Sequence, residues 1–159
     1  MRSNLDTIST NITTKSPEET REIGKNLGYR ANPGDVFFLI GDLGSGKTTL
    51  TQGISKGLKI DDYVRSPTFV LISEYNGRLP LFHMDLYRID KLDDLDELGL
   101  IEHFEGDGLT VVEWADRLPE NNNLDVLQIY IERQKDESRQ MTLTSDSKRY
   151  IDHIKKVAV

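Results

Sequence analysis

The sequence predicts an α/β fold built on a mixed central sheet, and three observations predict it. Val36-Phe37-Phe38-Leu39-Ile40 is a short, wholly apolar run, the pattern of a strand buried on both faces. That run passes into a glycine-rich loop and a helical segment, and Leu109-Thr110-Val111-Val112 repeats the buried-strand pattern further on. Between two more apolar runs lies Tyr75-Asn76-Gly77-Arg78, a hairpin signal, because Asn-Gly tolerates the positive φ of a tight turn. Buried strands around a helix give α/β architecture, and the hairpin makes the sheet mixed.

The elements follow in order. Residues 5–14, rich in Thr and Ile, read as a strand or extended arm. Ser16-Pro17-Glu18-Glu19 is a helix start, with Ser as N-cap, Pro at the first helical position and Glu three residues after the cap. The helix runs to about Tyr29, with Ile23, Leu27 and Tyr29 expected on its inner face. Asn32-Pro33-Gly34-Asp35 is a turn before the first buried strand. A helix from near Lys47 to about Leu58 follows the glycine-rich loop. Phe69 to Glu74 and Leu79 to His83 are the hairpin strands, and residues 91–105 read as an acidic helix plus a short helical turn. Asp125 to Arg133 and Gln140 to Thr144 form an antiparallel pair. Ser147 to Val157 is a closing helix that carries Tyr150, Ile151, Ile154 and Val157.

The 159 residues fit one domain, 1–159, large enough to bury a core. The net charge of −7 argues against unaided, non-specific binding to nucleic acid. The absence of cysteine removes disulfides, thiolate metal sites and cysteine nucleophiles together. No run of 18 apolar residues is present and the first 20 residues are polar, so neither a membrane span nor a secretory leader is expected. A cytoplasmic protein is the simplest expectation.

Gly41-Asp42-Leu43-Gly44-Ser45-Gly46-Lys47-Thr48 matches G-x-x-x-x-G-K-[ST] at every fixed position. The glycines let the backbone curl so that successive N–H groups face phosphate oxygens, and the following helix offers its N-terminus to the same anion. Lys47 supplies a charge for the β- and γ-phosphates, and Thr48 a hydroxyl for magnesium. A chain of this length shows the pattern by chance about once in a few hundred. Its position after a buried strand and before a helix is the context the mechanism requires.

The loop sets phosphate binding, not the reaction. No Asn-Lys-x-Asp occurs, and Asp85 is followed by Leu86-Tyr87-Arg88 without the glycine a GTPase needs, so guanine specificity is unsupported. Arg133 and Arg139 fall in the late strand pair, which makes a poor kinase lid. Asp85 and Glu113 each end an apolar strand. In open α/β sheets ligands sit at such ends, where an acid can hold magnesium or orient water. His83, two residues before Asp85, is expected to point to the same side. His103 and His153 read as surface residues. Thr68, in Ser66-Pro67-Thr68-Phe69, lies where a switch segment senses the γ-phosphate, although from spacing alone a plain proline turn entering a strand explains the residues better.

Four motifs occur in order: residues 41–50, Ser66-Pro67-Thr68-Phe69, His83-Met84-Asp85-Leu86-Tyr87-Arg88 and Val112-Glu113-Trp114-Ala115. With Glu97-Leu98-Gly99-Leu100 between the last two, they resemble the bacterial TsaE (YjeE) family, the ATPase of tRNA threonylcarbamoyladenosine biosynthesis. The resemblance spans roughly residues 12–145. It implies a three-layer P-loop NTPase fold that hydrolyses ATP to ADP with Mg2+. The implied partners are TsaD and TsaB, the pair that transfers the threonylcarbamoyl group to adenosine 37, so that tRNA is met only indirectly. By the same resemblance Gly41, Leu43, Gly44, Ser45, Gly46, Lys47, Thr48 and Thr49 bind nucleotide. Lys47, Asp85 and Glu113 are catalytic, Thr48, Asp85 and Glu113 serve the metal, and Thr68 and Trp114 are switch or partner contacts. Ser16, Ser138 and Arg139 fall near the adenosine, where a helix cap and surface polarity explain them equally well. Ser45, Met84 and Phe69 depart from the family's usual residues without touching a required polar group. A small-molecule kinase and a non-catalytic, nucleotide-dependent assembly switch are the alternatives.

Overall fold

The computed structural model describes residues 6–67, 72–87, 104, 106–118 and 124–157. The Thr68 position, His103 and, apart from Phe104, the helix expected over 91–105 lie outside them. A seven-stranded sheet has the order β1-β7-β6-β2-β5-β4-β3. The strands are β1 (Ile8–Thr14), β2 (Val36–Ile40), β3 (Ile72–Tyr75), β4 (Leu81–Asp85), β5 (Leu109–Glu113), β6 (Leu127–Arg133) and β7 (Arg139–Ser145). At the centre β2 runs parallel to β5 and β6, and β4 runs parallel to β5. Antiparallel β3, β7 and β1 complete the two sides, so the sheet is mixed.

The apolar run in β2 divides between the two faces because alternate side chains point opposite ways. Phe37 and Leu39 join Leu81, Leu109, Val111, Leu127 and Ile129 in one core cluster. Val36 and Phe38 join Met84, Leu86, Val112 and Ala115 in another. The first face is covered by α1 (Pro17–Arg30), α2 (Lys47–Gly57) and α3 (Ile151–Lys156), through Leu27, Leu50, Ile54 and Ile154. On the second face Phe104 lies 6.3 Å from Phe38, ring centre to ring centre.

Helix α1 begins as its sequence predicts. Ser16 Oγ accepts the Glu19 N–H at 3.1 Å, and Pro17 needs no partner at the first helical position. Its contact with α2 is made backbone to backbone. A Cβ on Gly24 would stand 2.3 Å from Leu50 O, and one on Gly28 2.1 Å from Ile54 O. In return, a Cβ on Gly53 would stand 2.2 Å from Arg21 O, and one on Gly57 2.2 Å from Lys25 O. The two backbones touch through glycines four residues apart on each helix, an approach only residues without a Cβ permit.

Four sequence expectations are corrected. Tyr29 is 70% exposed, because Gly24, Leu27 and Gly28 already fill the contact face. The connection between β3 and β4 is a five-residue loop, 76–80, with no positive φ at Asn76 or Gly77. Gly77 is required there for space: a Cβ would stand 2.3 Å from Leu58 O. His153 is buried, not on the surface, with Nε2 3.0 Å from Asp35 Oδ2. The closing segment also breaks into a 3-10 turn, Lys148–Tyr150, before α3.

Asp35 anchors the start of β2. Its carboxylate accepts from Asn32 N–H at 2.9 Å and from Arg149 Nε at 2.6 Å, beside His153. Burial raises its pKa, but the hydrogen bonds from His153, Asn32 and Arg149 outweigh that and hold it below the usual 3.8. A depressed folded pKa means stability that is present above the unfolded value and is lost as pH falls through the folded one. Asp35→Asn is therefore expected to cost about 3 kcal/mol at pH 7. The deficit should shrink below about pH 4. Urea unfolding of both proteins at the two pH values checks this, and an equal deficit at both would refute the charged role.

Candidate functional site

The phosphate-loop motif occupies the turn between β2 and α2, at the carboxyl edge of the parallel strands. Gly44 (φ 77°) and Gly46 (φ 115°) take left-handed backbone conformations that other residues adopt only with strain. A Cβ on Gly41 would stand 2.4 Å from Ile131 O and 2.6 Å from Ser45 Oγ. The loop then delivers the N-terminus of α2, and Gly46 caps that helix with no side chain over its N–H groups. N–H groups and a helix dipole so placed favour an anion.

Lys47 is almost wholly buried. Its ammonium donates to Gly41 O at 2.5 Å and Asp42 O at 3.0 Å and lies 4.1 Å from the centre of the Trp114 ring. Burial lowers its pKa, and nearby Glu113, Asp85, Asp116 and Asp42 partly restore it. Thr48 Oγ donates to Glu113 Oε1 at 3.0 Å. The register pairs Asp85 at the end of β4 with Glu113 at the end of β5, so the two acids emerge side by side. Asp85 Oδ2 accepts from Ser66 Oγ at 2.7 Å, and Oδ1 from the Tyr87 N–H at 2.9 Å. The far side of Glu113 meets His83 Nε2, 2.5 Å from Oε2.

Leu43, Lys47, Thr48, Asp85, Glu113 and Trp114 line one cleft of ≈ 430 Å³, together with Gly44, Gly46, Thr49 and Arg139. A recess of ≈ 210 Å³ continues from Gly46, Thr49 and Arg139 to Ser16, Thr20 and Glu137. Ser45, buried below the loop, and Gly41 shape the turn without lining either space. Ser138 is set apart: its hydroxyl donates to Asp136 within the β6–β7 turn at 2.6 Å. A larger depression of ≈ 520 Å³ lies at the C-terminal ends of α1 and α2, lined by Lys25, Tyr29 and Lys56. It contains no part of the phosphate loop.

Sequence reasoning did not single out Tyr87 or Arg117. The Tyr87 ring lies 4.9 Å from that of Trp114, and the Arg117 guanidinium lies 5.6 Å and 5.9 Å from the two ring centres. Trp114 itself is held at φ 59°, a left-handed conformation uncommon outside glycine. The bend turns the indole from the strand end back over Lys47. Two aromatics, each one or two residues past a strand-terminal acid, were the available signal.

The residues present fit magnesium. Thr48, Glu113 and Asp85 offer hard oxygen donors, and the Thr48 proton is committed to Glu113, which leaves its lone pairs free for a cation. Among the described residues no group of three His, Cys, Asp or Glu forms a closed metal cage. Magnesium that completes its shell with water and phosphate needs none. Also among the described residues, no helix is long and apolar enough to cross a membrane.

Comparison with known proteins agrees with this arrangement. The family model described as "Threonylcarbamoyl adenosine biosynthesis protein TsaE" matches residues 14–141. The tRNA threonylcarbamoyladenosine biosynthesis protein TsaE of Bacillus subtilis is 49% identical over 138 residues, covering 86% of each chain. Its counterpart in Nostoc is 45% identical over 115 residues, covering 69% of this chain and 70% of its own. A crystal structure of B. subtilis YdiB superposes with a TM-score of 0.77 at 40% identity, covering 96% of both chains. The mixed-sheet P-loop NTPase fold is thus shared with a solved relative.

Proposed function

This chain belongs to the TsaE family, whose members take part in tRNA threonylcarbamoyladenosine biosynthesis, and we propose that it is the ATP-binding and ATP-hydrolysing component of that machinery. In this reading it acts with a TsaD–TsaB pair to sustain turnover and meets tRNA only through the complex. The observation that carries the reading is the convergence of Lys47, Thr48, Asp85 and Glu113 on the cleft beside the phosphate loop.

The roles follow from that geometry. Phosphate oxygens replace Gly41 O and Asp42 O as acceptors for Lys47, and the loop N–H groups take up the remaining charge. Thr48 and Glu113, with Asp85 beside them, would hold magnesium, which when bound neutralises charge developing on the β- and γ-phosphates. Asp85 also keeps Ser66 drawn toward the cleft, which ties the segment before Thr68 to the acid. The recess between Ser16 and Arg139 offers the adenosine side a place to lie. Arg133 and Arg139 sit opposite each other in the β6–β7 strand pair, where they make a poor lid, and hydrolysis is therefore favoured over a kinase.

Steady-state ATP hydrolysis tests the reading, measured on the chain alone and with a TsaD–TsaB pair and tRNA. Slow turnover alone that rises with the partners and disappears in Lys47→Ala is the expected result. Turnover indifferent to the partners would discard the assignment to tRNA modification. Label transferred from ATP to a small acceptor would return the kinase. Complex assembly that cycles normally in Glu113→Ala would favour the non-catalytic switch.

A further inference from the structure

We propose that His83 is a positioning residue for the magnesium-linked acid: its imidazole holds one oxygen of Glu113, so that the carboxylate presents the other to Thr48 and the cleft. The inference rests on the reading of Glu113 as that acid.

His83 stands in the middle of β4 and is fully buried. The strand alternation that sends Asp85 toward the cleft sends His83 the same way, one step deeper in the sheet. The register sets His83 against Val111 and Asp85 against Glu113, so the imidazole reaches diagonally to the acid of the neighbouring strand. Nε2 lies 2.5 Å from Oε2, while Thr48 Oγ lies closer to Oε1, at 3.0 Å, than to Oε2, at 3.4 Å. A carboxylate oxygen accepts, so the proposed contact puts the shared proton on Nε2. Nδ1 has no hydrogen-bond partner among the described residues. Among the described residues the ring's one hydrogen-bond contact is Glu113.

Glu113 is itself 2% exposed. Without His83 the hydrogen bonds among the described residues leave its carboxylate one anchor, the Thr48 hydroxyl, which is also the group a metal needs. With His83 the carboxyl plane is held from behind before any cation arrives. Groups that orient a metal-linked side chain in this way typically change metal affinity by about 10- to 100-fold when removed.

Two substitutions separate positioning from packing. In His83→Gln the amide nitrogen reaches the place of Nε2 and can donate to Oε2. In His83→Asn the amide nitrogen falls near the place of Nδ1 and cannot. Trp114, the single tryptophan of the chain, serves as a fluorescence reporter for ADP added with and without MgCl2. The MgCl2 concentration giving half-maximal tightening of ADP binding should rise about tenfold or more in His83→Asn. It should stay within about threefold of the parent in His83→Gln, and metal-free ADP affinity should be unchanged in both. Equal magnesium response in parent and both variants would overturn the proposal, as would an Asn variant that loses metal-free ADP binding in the same proportion. Long-range 1H–15N spectra of the unsubstituted, nucleotide-free chain give an answer that needs no variant. A proton on Nε2 is expected, and a bare Nε2 with the proton on Nδ1 would overturn the assignment. A parent chain that binds no ADP at all would refute the nucleotide reading itself, an outcome distinct from either.

Discussion

Lys47→Ala is expected to lower ATP turnover by about a hundredfold or more and to leave the melting temperature within about 5 °C of the parent. The loss follows from charge. Lys47 is the buried cation at the phosphate loop and, among the described residues, the one lysine lining the cleft, where Arg139 also lies. The small effect on stability follows from what its ammonium does in the free chain. It sits on Gly41 O, Asp42 O and the Trp114 ring, contacts that favour the fold. Burial opposes them and lowers the lysine pKa despite Glu113, Asp85, Asp116 and Asp42 nearby. A folded pKa below the unfolded one means the charged form is held less favourably in the fold than in water, so removing it relieves a cost. What is lost is the neutralisation of Glu113 and Asp85, and the two effects oppose each other. Turnover assays paired with thermal melts check both halves. Retained hydrolysis would remove the phosphate-loop assignment, while a collapse of the melting temperature would make Lys47 a structural residue.

The same substitution should also alter Trp114 fluorescence. The indole lies under the ammonium while no nucleotide is bound. When phosphate draws Lys47 from the ring, the cation–π contact is lost and the emission should change. Lys47→Ala should begin with altered emission and respond little to ADP.

What was legible in the sequence was what local pattern encodes. The phosphate loop is contiguous, and each of its residue types has a mechanical reason, so residues 41–48 were readable in full. Asp85 and Glu113 were readable because an acid at the end of an apolar strand is a positional signal, and the parallel register sets them side by side. What was not legible is pairing across distance. Arg78 donates to Gly28 O, Tyr29 O and Ala31 O and so finishes α1 from a hairpin loop about fifty residues away. The turn at Asn32-Pro33-Gly34 marks where α1 stops but does not announce Arg78. Asp35 and His153 find each other across 118 residues, which explains why a histidine with no neighbouring motif read as a surface residue. Asn76-Gly77 carried a true hairpin signal for the wrong reason, since Gly77 answers a steric demand from Leu58 and not a turn dihedral.

The glycines of α1 and α2 are the strongest case, and they carry the largest expected effect on the fold. Read singly, Gly24, Gly28, Gly53 and Gly57 weaken their helices, and each alanine replacement should gain about 1 kcal/mol of helix propensity. The structure reverses that sign. A methyl on Gly28 would meet the Ile54 carbonyl at 2.1 Å, and one on Gly53 the Arg21 carbonyl at 2.2 Å. Both neighbours are helix backbone, which cannot rotate aside as a side chain can, so the helices must separate. Overpacking costs about 1–3 kcal/mol where side chains give way, and more where they cannot. Gly28→Ala is expected to destabilise the chain by about 3 kcal/mol net, and Gly28→Val by more. The effect should reach the site as well. The α1–α2 crossing sets how far Ser16, at the start of α1, stands from Thr49 in α2, and both line the recess beside the phosphate loop. Gly28→Ala should therefore weaken ADP binding even at temperatures where the protein stays folded. Tyr29→Ala, one residue away and exposed, should do neither. Denaturant unfolding and ADP titration of the two variants decide the matter. If Gly28→Ala is as stable as the parent, the helices are not held in backbone contact.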